Sequence, residues 1–297
     1  MIAYHYTNID NLNKIITQDE NGNPILKFRA TNCKFLNDQY ENTLGLIILE
    51  KCLKTIEEEL NVPQKEMVSP LLLKNREKIE QDLKLFHPNI VTDNYIISMS
   101  LNSDSLIMWS MYGNKGDGVA IGLDVEVLEE HFNDCEVQGI SGKCTYWSDD
   151  MIEQLKDTSS DVYNNVKSIY LQQISPNIKA MRLEICNYSE NDAKDSLLHY
   201  LLSYYSTHHK HDNWKNEHEY RCSCYSSFEN AKFQKDFRGD YIPFIDVYLP
   251  ITALKEIMIG PKCGKNANWM ALSLLVRMQT FKLPNKPIVS ESKCPLQ

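Results

Sequence analysis

The sequence predicts an α+β fold, a mostly antiparallel sheet with helices inserted between its strands. One observation is the stretch Trp214-Lys215-Asn216-Glu217-His218-Glu219-Tyr220-Arg221. Read as a strand, it puts Glu217, Glu219 and Arg221 on one face and Tyr220, Cys222 and Cys224 on the other, the alternation of a half-buried antiparallel strand. A second is the recurrence of short β-prone runs from one end of the chain to the other. The third is that long polar, helix-patterned stretches lie between those runs, near 43–86 and 149–210. Together they describe one domain over 1–297 with two helical insertions.

Taken in order, Tyr4-His5-Tyr6-Thr7 reads as a strand, and Ile9, Leu12, Ile15 and Ile16 at helical spacing follow it, with Asn8 or Asp10 as the N-cap. Asn21-Gly22-Asn23-Pro24 is a turn into a second strand over 25–30. Asn37 and Asp38 then read as the cap of a helix over Thr43 to Leu60, and a second helix over Leu71 to Leu85 ends at His87-Pro88. Tyr95 to Ser100 is a strand with Ser98 and Ser100 on one face. Leu106 to Tyr112 is a short helix started by Ser103, Asp104 or Ser105, with Trp109 and Tyr112 on one side. Those two rings form either an aromatic wall or part of a core, and helical spacing by itself favours the core. Val119 to Asp124 is a strand apolar on both sides. After the polar helical stretch and the strand at Glu217 come β runs at 232–237, 241–249 and 256–259, a helix carrying Trp269, Leu272, Leu275 and Met278, and a last strand near 287–290.

Composition narrows the function classes. Nine cysteines, odd in number and without a C-x-x-C pair, argue against a disulfide framework and for reduced thiols. Near the N-terminus there is no basic, apolar leader pattern, and no run reaches the ~18 apolar residues of a membrane helix, so a cytoplasmic protein with no membrane partner is expected. A formal charge of −9, from 31 Lys+Arg against 40 Asp+Glu, disfavours nucleic acid as a partner while leaving room for a small local basic groove. His208, His209, His211 and His218 lack the thiolate pairs and spacing of structural zinc sites, so no metal is expected. Dinucleotide-binding, P-loop, serine-hydrolase and zinc-protease signatures are missing.

With these pieces placed, the chain resembles a bacterial family of domains of unknown function, number 2971. The motifs that carry the resemblance are His5-Tyr6-Thr7, Asn37-Asp38 with Glu41, Ser98-Met99-Ser100, Met108-Trp109 with Tyr112, and Trp214 with Glu217, Glu219, Tyr220 and Arg221. A remoter similarity is to ADP-ribosyltransferases, whose three-part pattern of H-x-T, S-x-S and E-x-E looks like His5-Tyr6-Thr7, Ser98-Met99-Ser100 and Glu217-His218-Glu219. That resemblance implies NAD as a substrate. In its terms His5 holds a ribose, Thr7 supports it, Ser98 and Ser100 brace the wall, Glu219 is the catalytic carboxylate and Glu217 orients the acceptor. Tyr6, Trp109 and Tyr112 are the candidates to stack nicotinamide, and Arg221 to meet the pyrophosphate. A toxin or phage-defence setting goes with the family's bacterial occurrence. The middle motif lacks the threonine of S-T-S, and more than a hundred residues separate it from E-x-E.

The residues support this chemistry independently of the resemblance. Cleaving the ribose–nicotinamide bond builds oxocarbenium character, and a carboxylate on the 2-hydroxyl stabilises it. A second carboxylate nearby positions an acceptor of unknown identity, or water. Three classes stay open: an NAD-dependent transferase or glycohydrolase, a non-catalytic nucleotide-binding or sensor module, and a hydrolase working with the Glu217/Glu219 pair. The first expects His5 and Glu219 on neighbouring strands facing one pocket, with Glu219 open to solvent. Ion-paired and buried glutamates favour the second.

Overall fold

The protein is described by a computed structural model covering residues 1–36, 41–74, 92–133, 139–153, 161–180, 182, 204–235, 239–263, 273 and 286–295. The chain opens with β1 (Ile2–Asn8) and α1 (Ile9–Ile15), and the side chain of Asn8 caps the helix by accepting from the Asp10 amide at 3.0 Å. A hairpin of β2 (Ile16–Gln18) and β3 (Pro24–Asn32) turns on the Asp19 carboxylate, which accepts from the amides of Asn21 and Asn23. Next come α2 (Glu41–Glu59), β4 (Thr92–Ser100) and α3 (Leu106–Met111), the last begun by Ser105, whose Oγ accepts from the Met108 amide. They are followed by β5 (Gly118–Asp124), α4 (Val125–Asn133), β6 (Gly139–Lys143), β7 (Thr145–Trp147), α5 (Asp149–Glu153) and α6 (Asp161–Ile169). The last third holds β8 (His209–His211), β9 (Glu219–Ser227), β10 (Lys232–Lys235), β11 (Tyr241–Pro250), β12 (Leu254–Ile259) and β13 (Ile288–Glu291).

Eleven of these strands form one sheet, in the order β10-β11-β3-β4-β1-β5-β12-β13, with β2 on β3, β9 on β4 and β6 on β9. Every pair in it is antiparallel except β12 with β13, and β7 and β8 pair separately in parallel. The fold is therefore α+β and mostly antiparallel. Its distinctive feature is at β4. One edge of that strand pairs with β9 along its whole length, from Thr92↔Ser227 to Ser100↔Glu219. The other edge is shared by β3, at Tyr95 and Ile96, and β1, at Ser100. Between those contacts β1 and β3 part and leave a seam.

One face of the sheet packs on α1 and α4, burying Leu26, Phe28, Ile97, Ile121, Tyr220 and Cys222 with Leu12, Leu128 and Phe132. Each such side chain contributes about 1.5–3 kcal/mol relative to exposure. A second apolar cluster joins α2 to α6 and to Tyr205, with Ile48, Leu49, Tyr163 and Val166 among its members. β8 runs between this helical layer and the sheet.

Several expectations need correction. The late strand begins at Glu219, because Glu217 closes a 3-10 turn (Asp212–Glu217) and His218 adopts a left-handed conformation, φ 44°. Its charged face is buried under β8 instead of facing water. The end of the expected 149–210 helical insertion is strand, since β8 covers His209–His211, and β7 lies just ahead of the insertion. β2 and β6 were not foreseen. Asn37 and Asp38, the helix beyond Lys74, Leu197 to Leu202 and the helix around Trp269 to Met278 lie outside the described residues. Among the described residues no helix is long and apolar enough to cross a membrane.

Candidate functional site

The seam beside β4 opens into a cleft of about 190 Å3. β1 supplies Tyr4, His5 and Tyr6 to its wall, and β3 supplies Arg29 and Thr31. Ser98 and its neighbours on β4 line it too, and Met108 and Tyr112 close it from α3 and the residue after. The opposite wall is Lys210, Trp214, Glu217, Glu219 and Arg221.

The charged wall is a closed network. Lys210 Nζ lies 2.8 Å from Glu217 Oε2 and 2.8 Å from Glu219 Oε2, so one ammonium bridges both carboxylates. Arg221 donates from Nε to Glu219 Oε1 at 2.8 Å and from Nη2 to Oε2 at 3.0 Å, and its Nη1 donates to the Thr207 carbonyl at 2.6 Å. The Tyr112 hydroxyl donates to Glu217 Oε1 at 2.7 Å. All four carboxylate oxygens thus have a donor. Glu219 is 5% exposed and Arg221 1%. Burial alone would push the Glu219 carboxyl up, but Arg221 and Lys210 beside it outweigh that and hold it at about 2. It is a carboxylate at neutral pH.

The turn explains the convergence. Ser100 Oγ donates to the Glu217 carbonyl at 2.6 Å, the Leu101 amide donates to the His218 carbonyl, and the Glu219 amide donates to the Tyr146 hydroxyl at 2.7 Å. These bonds fix the left-handed His218 and fold Glu217 back beside Glu219.

His5 enters from the other direction. Strand alternation puts it on the side of Ala3, and its ring meets Phe28 of the core edge-on at 5.2 Å. Its Nδ1 is 3.0 Å from the Ser98 carbonyl, in the gap where β1 has left β4. A carbonyl only accepts, so Nδ1 carries the proton and Nε2 is left as an acceptor. Burial lowers the ring's pKa, which keeps it neutral.

Of the residues singled out in the sequence, His5, Tyr6, Ser98, Tyr112, Glu217, Glu219 and Arg221 meet at this cleft. Three stand behind it. Trp109 is fully buried against Tyr6, 4.8 Å ring to ring, and donates to Asp104. Thr7 accepts from Asn11, and Ser100 acts on the Glu217 backbone. His5 and Glu219 are also not on neighbouring strands: β4 runs between β1 and β9. Lys210 was missed, although a lysine alternating with His208 just ahead of two glutamates carries the matching charge. Tyr4, Arg29 and Trp214 were missed as lining residues. The histidines diverge: His208 stacks on Tyr204, His209 on Tyr205, and His211 turns to Asp149 and Asp212.

The stretch from α3 to β9 carries most of this charged wall, and it is this stretch that comparison picks out. Residues 108–222 match the model of a family described as protein of unknown function, DUF2971. The DUF2971 match begins at Met108 and takes in Trp109, Tyr112, Lys210, Glu217, Glu219 and Arg221. His5-Tyr6-Thr7 and Ser98-Met99-Ser100, the other motifs of the resemblance, lie outside it. No curated protein and no solved structure matches the chain.

Proposed function

We propose that the cleft binds a nucleotide, NAD or a related one, as a binding or sensor module, with the planar ring inside. The observation that carries this is the pairing of aromatic walls with surplus positive charge. Tyr4, Tyr6, Tyr112, Trp214 and the neutral His5 ring surround the space, and Arg29, Lys210 and Arg221 outnumber Glu217 and Glu219 in a chain of net charge −9. Size sets the mode of entry. A cavity of ~150 Å3 admits benzene, so about 190 Å3 takes one ring with a small substituent and leaves the rest of a dinucleotide outside. The His5 Nε2 acceptor suits a ring amide or hydroxyl donor. Titrating NAD, nicotinamide mononucleotide and nicotinamide into the protein tests it. Saturable binding with quenching of Trp214 fluorescence is expected, and Arg29→Ala weakens the phosphate-bearing ligands roughly 10-fold or more, the worth of one charge-assisted contact. Absence of binding by all three removes the reading.

A second reading, an ADP-ribosyltransferase-like fold and activity or an NAD glycohydrolase, is favoured by one observation: Glu219 is ionised in the same cleft as His5 and Ser98. An ionised carboxylate is what an oxocarbenium-like transition state needs. Against it, both Glu219 oxygens are already engaged and His5 approaches from the core side. Nicotinamide release that falls ~100-fold in Glu219→Gln would establish it. A toxin or phage-defence role, and a macromolecular acceptor, belong to this reading. A hydrolytic water between the two glutamates would have to displace the Lys210 ammonium, which disfavours the third class.

A further inference from the structure

β3, β11 and β10 carry an exposed face that continues from the cleft. In register, Lys27 stands opposite Tyr248, Arg29 opposite Asp246, and Thr31 opposite Phe244, which in turn stands opposite Lys232. Lys27 Nζ is 3.1 Å and Lys232 Nζ 2.5 Å from the same oxygen, Asp246 Oδ2, so the two ammonium groups are held close together. Arg29 lies over the Phe244 ring at 4.7 Å and donates to Gln234 at 2.7 Å. Two cations therefore share one carboxylate and a third, Arg29, stands opposite it in register, in a chain whose overall charge is negative. The lysine side chains are open to solvent, 36% exposed at Lys27 and 60% at Lys232, while that of Asp246 is 8% exposed. Arg29 belongs to both places, because it also lines the cleft.

We propose that this face seats the diphosphate group of the nucleotide whose ring enters the cleft, so that the ligand class is a nucleoside diphosphate or dinucleotide rather than a nucleoside. The cleft is too small for more than a ring, and whatever leaves it past Arg29 meets Lys27 and Lys232 next. The cations exceed Asp246 by two charges, which a diphosphate bridging two nucleosides matches. Phosphate oxygens would replace part of the Asp246 contact and gain charge-assisted bonds. The ring's place rests on the cleft reading above, but the face can be tested without a ring.

Inorganic pyrophosphate is the probe for the face, and adenosine, ADP and NAD are the probes for the class, all by calorimetry at low salt. Wild type should bind pyrophosphate, and Lys27→Ala/Lys232→Ala should weaken it at least roughly 10-fold. Asp246→Asn should instead tighten it several-fold, since it removes the competing anion, a gain that lost folding would not produce. ADP and NAD should exceed adenosine by a margin that disappears in the double lysine variant. Pyrophosphate binding that is equal in wild type and the lysine variant, or weaker in Asp246→Asn, overturns the assignment of this face. Lysine-dependent pyrophosphate binding, with ADP and NAD no tighter than pyrophosphate itself, instead overturns the ring's place in the cleft and the nucleotide class with it.

Discussion

Lys210 is the residue on which the charged wall depends, because it is the cation that Glu217 and Glu219 share at 2.8 Å each. Removing one partner of a buried ion pair leaves an uncompensated charge, at a cost of about 3–5 kcal/mol. Lys210→Met should therefore lower the stability measured by urea denaturation by that order. Adding Glu217→Gln should recover a substantial part, since the unpaired charge goes with it, and a double-mutant cycle reads the coupling. A loss below about 1 kcal/mol would mean that the lysine does not bridge the pair. The sequence displayed the two glutamates and Arg221 plainly, since alternation within one segment is local information. It could not display Lys210, whose approach depends on β8 being laid against the sheet by the helical layer. For the same reason Glu219 looked solvated: Lys210 reaches it only once β8 is laid against the sheet.

At the scale of elements, the position of β8 depends on how closely α2 approaches 204–208. Gly45 in α2 permits that approach, because a β-carbon there would lie 1.5 Å from the Tyr205 carbonyl oxygen and 3.2 Å from His209 Cβ. The obstacle is backbone, so a side chain cannot be accommodated by a rotamer change. Gly45→Ala should destabilise by about 1–3 kcal/mol or more, against the small gain that alanine usually brings to a helix interior. By pushing back the segment that leads into Lys210, it should also weaken whatever ligand the cleft takes. Unchanged stability and unchanged binding together would show that α2 does not set β8. Strands were legible where they alternate or run apolar, as β1, β4, β5 and β11 do. β6 was not, because Gly139-Ile140-Ser141-Gly142-Lys143 has neither pattern and is a strand only through its ladder to β9. The seam at β4 was equally hidden, since it arises from which strands share an edge.

Across the whole molecule, the layer between helices and sheet buries two histidines uncharged beside its ion-paired groups, and this fixes a dependence on pH. His208 and His209 are buried, and among the described residues the Nε2 of each has no hydrogen-bond partner. Burial, with Arg221 as a second cause, lowers the His208 pKa to about 4, and burial lowers that of His209 to about 3. In the unfolded chain both titrate near 6.5. As pH falls the unfolded state takes up protons first, so stability is complete above about 6.5 and declines from there through 4 and 3. At pH 5 each histidine removes about 2 kcal/mol, 1.5 pH units at about 1.4 kcal/mol per unit. Glu219 adds to the loss only in stronger acid, between its unfolded value of 4.5 and its folded value of about 2. Glu57, whose carboxyl is raised chiefly by burial, acts in the opposite sense and offsets part of it. Urea denaturation between pH 7.5 and 5 should show stability falling below pH 6.5 with a slope of at least two protons, from His208 and His209, to which His5, lowered by burial in the same sense, adds. His209→Phe keeps a ring against Tyr205 and removes one titrating group, so it should lower that slope by about one proton. A slope near zero in wild type would show that these histidines are not held neutral, and that the layer carrying Lys210 to the cleft is open to water.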